Sequence, residues 1–237
     1  MKRRKFIKKT FKWGAGLGIL TALYSWQIEP FWMEFVHVKM PLKNLPKELV
    51  GKTLMQISDI HIGNSFDYQY IIDSFKEAQQ LKPDFVVYTG DYINYDDDEQ
   101  ILQLQEVLDY AVTGSLGTIG ILGNHDYGID YAEESVARSI TKSLETAGIT
   151  VLRNNAIDLN GINFIGIDDL WGINFHPEEA TKKYDPSKAN ITLCHNPDVC
   201  DLEDGRTLYI NRALGCLLQV RFNVRPEITL FELMREE

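Results

Sequence analysis

The hydrophobic positions alternate between short apolar runs and stretches with a helical repeat. Residues 52–58 (KTLMQIS), 84–90 (DFVVYTG) and 117–123 (GTIGILG) are apolar runs of strand length. Residues 70–81 place Ile71, Ile72, Phe75, Ala78 and Leu81 on one helical face. Residues 98–112 read as a second helix with acids in its first turn, and 133–148 as a third, closed by Gly148. Strand and helix in strict alternation predict a parallel sheet with helices packed on it, an α/β fold. After that the pattern changes. Asn160-Gly161 divides the apolar stretch 156–168, a strong hairpin signal. Residues 190–194 read as another strand, and 207–211, 218–223 and 227–233 finish the chain as β. Pro177 marks the start of a short helix.

The first thirty residues break this pattern. Seven Lys and Arg with no acid occupy the first twelve positions, followed by sixteen uncharged residues from Trp13 to Ile28. Three glycines at 14, 16 and 18 weaken a soluble helix here. The run is shorter than the roughly 20 apolar residues usual for a membrane span. Arg3 to Lys8 (RRKFIK) looks like a twin-arginine export signal. Residues 1–30 are therefore expected to be a basic export signal or membrane anchor, and 31–237 the functional domain.

Removing those seven from the 24 Lys and Arg leaves 17 basic against 34 acidic residues in the body. So acidic a body argues against a nucleic-acid partner held by phosphate contacts. Three cysteines, Cys194, Cys200 and Cys216, form no CxxC pair, which argues for buried thiols rather than a thiolate metal site. An exported protein leaves room for one disulfide among them. The acidic run 95–100 reads as a solvated loop and helix start.

Chemistry gathers where the apolar runs stop. Asp59 and His61 follow the first run, Asp91 the second, Asn124 and His125 the third, and His195 the run at 190–194. In an open parallel sheet the carboxyl ends of the strands share one rim, and ligands bind there. Asp and His suit first-row divalent cations, and an Asn carbonyl adds a neutral donor. Each fragment alone is ordinary turn chemistry; together, in order and each after a strand, they predict a metal centre.

Asp59-x-His61, Gly90-Asp91, Gly123-Asn124-His125-Asp126 and His195 resemble the motifs of the calcineurin-like metallophosphoesterase family, from about Leu54 to the carboxyl end. With the amino-terminal segment, the resemblance is to its exported or membrane-associated bacterial branch. It implies a four-layer αββα sandwich and two divalent ions, manganese, iron or zinc. Asp59 and His61 would hold one ion, Asp91 would bridge, and Asn124 and His195 would hold the other. His125 would be the catalytic residue just outside the metals, as a proton donor to the leaving oxygen or a contact to the phosphoryl group. The implied reaction is hydrolysis of a phosphomonoester, phosphodiester or pyrophosphate by metal-activated water. A lipid-linked or cell-envelope substrate is the expectation that the anchor adds; lipid-A precursor pyrophosphate is one option within the family.

One family signature is missing. The five histidines, His37, His61, His125, His176 and His195, include no Gly-His-x-His pair. Only twelve residues (NPDVCDLEDGRT) separate His195 from the stretch LYINRALG, so an internal segment is expected to be absent near Leu202 and Glu203. The alternative function is therefore a weakly active or non-catalytic phosphate-binding homologue. His176 reads as a loop residue, and Asp168 and Asp169 as loop residues near the rim rather than ligands.

Overall fold

The structure is a computed structural model that describes residues 2–63, 66–199 and 207–236. Six strands form the larger sheet: β1 (Glu34–Leu42), β2 (Thr53–Ile57), β3 (Phe85–Thr89), β4 (Gly117–Ile121), β5 (Thr150–Val151) and β9 (Glu227–Arg235), in the order β1-β9-β2-β3-β4-β5. A three-stranded sheet holds β6 (Asn155–Leu159), β7 (Ile162–Gly166) and β8 (Ala189–Leu193).

Strands β2 to β5 run parallel, as the alternation with helices predicts. The sheet as a whole is mixed, because β9 runs antiparallel to β2 and parallel to β1. β6 and β7 form the expected hairpin. Asn160 (φ 55°) and Gly161 (φ 90°) occupy the two left-handed positions that such a two-residue turn requires.

Strand residues alternate between two cores. On β3, Val86 and Tyr88 face one side; with Met55 and Ile57 they pack on Phe75 of helix α2 (Tyr68–Gln79), Leu104 of α3 (Glu99–Leu108) and Ile140 of α4 (Glu134–Thr146). Phe85 and Val87 face the other side and pack with Leu54, Ile119 and Ile121 on Ile162, Phe164 and Ile191 of the small sheet. Phe85 and Phe164 meet with ring centroids 5.6 Å apart. Helix α5 (Pro177–Thr181) covers the outer face of the small sheet, where Ala180 joins Ile165 and Ile167. Helices, two sheets and a further helix make the four-layer αββα sandwich.

Two late segments are not strands. Residues 207–211 and 218–223 lie outside the sheets, and side chains from both segments, Asn211 and Arg221, bind the backbone that lies beside them. Arg221 donates to the carbonyls of Arg212, Ala213, Gly215 and Val224, and Asn211 Oδ1 accepts from Ala213 N–H.

Helix α1 (Lys2–Gln27) carries the basic and apolar amino-terminal segment. Phe11, Trp13, Leu17 and Leu20 are exposed on it, and its end meets the body where Arg221 N–H reaches Ser25 O. Among the described residues no helix is long and apolar enough to cross a membrane. Cys194 and Cys216 are half-buried. Cys200 and the junction expected at Leu202–Glu203 lie outside the described residues.

Candidate metal centre

The rim forms because the loops after β2 and β3 run side by side. Asp59 N–H donates to Gly90 O, His61 N–H to Asp91 O and Ile62 N–H to Tyr92 O. Holding this register puts Asp59 (φ 53°), His61 (φ 46°) and Asp91 (φ 55°) in the left-handed region. Three non-glycine residues in such a conformation at one place store strain of the kind found at functional sites.

The loop after β4 closes onto the first two. Asp91 Oδ1 accepts from His125 N–H at 3.0 Å. A Cβ on Gly123 would collide with that same carboxylate oxygen, and one on Gly90 with the Gly123 backbone. Glycine at both positions is thus required by close approach. Asn124 is buried between Gly123 and His125, both of which touch Asp91. Asp126, fully buried, is a staple. Its carboxylate accepts from the N–H groups of Asp91 (2.9 Å), Tyr92 (2.8 Å) and Gly123 (2.8 Å). Burial, followed by the charge of Asp91, pushes its carboxyl up to about 7.

His195 arrives from the other sheet. Its Nδ1 lies 2.9 Å from Thr89 O, and its Nε2 lies 3.2 Å from Asp91 Oδ2. A carbonyl only accepts, so Nδ1 carries a proton and Nε2 is aimed at the carboxylate. A backbone carbonyl behind a ligating imidazole is the usual arrangement in metal sites. His61 Nε2 lies 3.6 Å from both Asp59 Oδ1 and Asp91 Oδ2. Asp59, Asp91 and His195 offer ligand atoms that all lie within 4.8 Å of one another.

The electrostatics match this crowding. Burial works against charge on His195, but the hydrogen bond and charge of Asp91 outweigh it and push the imidazole up to about 10. Burial likewise opposes the Asp91 carboxylate, yet His195 and the neighbouring imidazoles hold it below the usual range. His61 is raised despite its burial by Asp59 and Asp91. Burial lowers the half-buried His125, whose ring stands 5.3 Å from that of His61. Asp59, Asp91 and His195 converging on one point, with His61 Nε2 beside both carboxylates, form a donor set that suits a first-row divalent cation.

Other polar residues have separate work. Asp168 is buried under Arg153 Nε (3.1 Å), Tyr127 Oη (2.5 Å) and Asn174 Nδ2 (2.7 Å). Arg153 also grips Glu134 of α4 at 2.8 and 2.9 Å. Asp169 is buried near the rim and raised by that burial, with His195 in electrostatic reach. His176 is exposed beside Glu178, and His37 is exposed on β1. The sequence patterns do not reveal the bracing by Asp126, Tyr127 and Arg153, or the aromatic pair Tyr131 and Trp171 beyond His125. The one available signal is Asp126 at the end of the motif, followed by Tyr127.

Comparison with known proteins agrees with this chemistry. Residues 52–225 match the family model described as calcineurin-like phosphoesterase. The chain is similar to metallophosphoesterase YkuE of Bacillus subtilis, at 28% identity over 98% of each chain. It is similar to phosphodiesterase YaeI of Escherichia coli at 24% identity, over 98% of this chain and 99% of that one. UDP-2,3-diacylglucosamine pyrophosphatase LpxG of Chlamydia trachomatis is 24% identical over 92% of this chain and 94% of its own. The aligned lengths of 287, 281 and 314 exceed the 237 residues here, so each relative carries stretches with no counterpart in this chain.

Proposed function

The chain belongs to the calcineurin-like phosphoesterase family, a phosphoester hydrolase by that membership, and from this premise we propose which residues do the work and on what. Asp59, His61, Asp91, Asn124 and His195 are the residues that would hold two divalent ions. The observation that carries this reading is His195 Nε2 at 3.2 Å from Asp91 Oδ2, a contact between the two sheets that core packing does not need. Bound cations would supply Lewis-acid charge to the phosphoryl oxygens and acidify a water. Asp91 is fixed for a shared position by His125 N–H and lies against both His61 and His195. His125, half-buried at the mouth of the cluster, gives a proton to the leaving oxygen.

We infer that the substrate is a phosphodiester or pyrophosphate, on a small molecule or a lipid. Support comes from relatives named as a phosphodiesterase and as a pyrophosphatase of an acylated sugar nucleotide. The basic start of α1 and the exposed apolar side chains after it support a location at the bacterial cell envelope, as an export signal or an anchor. Cell fractionation with an epitope tag tests that location; an exclusively soluble cytosolic protein contradicts it.

The chain's lack of a His-x-His pair supports a second reading, a homologue that binds phosphate but turns over weakly. Hydrolysis of bis(p-nitrophenyl) phosphate with added manganese separates the two. Turnover that vanishes with chelator and in His125→Ala supports catalysis. Phosphate binding without turnover supports the second reading.

A further inference from the structure

Four rings run in file away from the metal centre. The His125 ring lies 5.3 Å from His61 on one side and 5.3 Å from Tyr131 on the other. Tyr131 in turn lies 6.2 Å from Trp171, with the two rings only 22° from parallel. Trp171 is 59% exposed, and Ile129 and Ile173, each two positions from one of the pair, are exposed as well. We propose that Tyr131 and Trp171 form a subsite for a planar aromatic group, a nucleobase or an aryl ring, carried on the leaving side of the substrate. The proposal rests on the phosphoester reading and adds a substrate class to it.

The pair is held rigidly. Tyr131 (φ 58°) follows Asp130 (φ 61°), so two consecutive non-glycine residues sit in the left-handed region to turn the Tyr131 ring toward His125. Their loop is tied down by Glu133 N–H on Tyr127 O (2.7 Å) and by Ile129 N–H on Glu133 Oε1 (3.1 Å). The other loop is tied by Trp171 N–H on Asp169 Oδ1 (2.8 Å) and by Gly172, which packs so closely on the Tyr127 ring that a Cβ would clash. Tyr127 is itself locked by Asp168 and Arg153. Both aromatic loops thus hang on one buried residue, which fixes their spacing in advance of binding.

Order along the file sets what binds where. Phosphorus belongs at Asp91 and His195, and the leaving oxygen beside His125. The group attached to that oxygen then meets Tyr131 and Trp171. A ring inserted between those two would need about 7 Å, twice the ~3.5 Å contact spacing of carbon atoms. Their 6.2 Å separation makes them a slab instead, with the outer face of Trp171 available for stacking. Parallel rings reward a flat partner; an acyl chain gains nothing from their alignment.

Binding of AMP, ribose 5-phosphate and inorganic phosphate to the manganese-loaded full chain tests this, by calorimetry and by tryptophan emission. The other tryptophans, Trp13, Trp26 and Trp32, lie in the amino-terminal region and give the background. AMP should bind about tenfold tighter than ribose 5-phosphate, the size of one base stacked on an aromatic side chain. That gap should close in Trp171→Ala and persist in Trp171→Phe, with ribose 5-phosphate unchanged in both. Equal affinity of AMP and ribose 5-phosphate in the wild type overturns the subsite and leaves the phosphoester reading intact. An equal loss of all three ligands in Trp171→Ala also overturns it, because Trp171 would then only shape the centre. Failure of all three ligands to bind the wild type overturns both readings.

Discussion

His195 Nε2 stands 3.2 Å from Asp91 Oδ2, although 104 positions separate the two residues and they follow strands of different sheets. The contact exists because β8 ends level with β3, close enough for His195 Nδ1 to hold Thr89 O. One imidazole thereby links both layers of the sandwich at the rim. Removing the shared carboxylate should hurt most. Asp91→Asn is expected to weaken manganese binding about 100-fold or more, above the 10–100-fold typical of outer-shell partners. Isothermal titration measures it; unchanged affinity would remove Asp91 from the ligand set.

Asp126 makes a different prediction from its neighbours. Three backbone N–H groups point at its carboxylate, so Asp126→Asn turns one acceptor into a donor facing a donor. A cost of about 2–4 kcal/mol follows from buried groups left unsatisfied. Urea denaturation reads it. Normal stability with weakened metal binding would make Asp126 a ligand instead.

How far these roles were legible in the sequence depends on distance along the chain. Asp59, His61, Asp91, His125 and His195 announce themselves because each directly follows an apolar run, and strand ends share a rim. Asp126 sits in the same motif, yet nothing local shows that its carboxylate points inward at three amides. Tyr131 and Trp171 are invisible as a pair, since they lie on loops forty positions apart that only the folded chain brings together, over Tyr127. The mixed sheet was hidden for a similar reason: β1 and β9 pair from opposite ends of the chain. Residues 207–211 and 218–223 look like strands by composition. Their side chains Arg221 and Asn211 instead bind backbone groups of residues 212, 213, 215 and 224 beside them.

Close approach at Gly123 gives a sharp steric test. Gly123→Ala places a methyl against Asp91 Oδ1 and must move that carboxylate. Metal affinity should fall at least tenfold while the circular dichroism stays native. Retained affinity would show that Asp91 tolerates displacement and does not hold the ions.

The brace between Glu134 and Arg153 predicts a pH dependence of stability. Hydrogen bonding from Arg153 is the main cause that lowers the Glu134 carboxyl from 4.5 to about 2. A carboxyl depressed on folding adds stability above its unfolded value, and that stability is lost as pH falls from about 4.5 to 2. Partial exposure of Glu134 reduces the effect to about 1–2 kcal/mol at pH 6. Comparing Glu134→Gln with the wild type isolates this one group. The stability gap between them should shrink as pH falls through that window; a gap independent of pH contradicts the brace.

The central claim, that these converging side chains are a metal centre, is tested most directly by anomalous scattering from a crystal grown with manganese. A manganese peak bonded to Asp91 Oδ2 and His195 Nε2 is expected, with Asp59 and His61 around the same cluster. A peak only at other carboxylates, or none at the rim while the bound manganese is seen elsewhere, would contradict it.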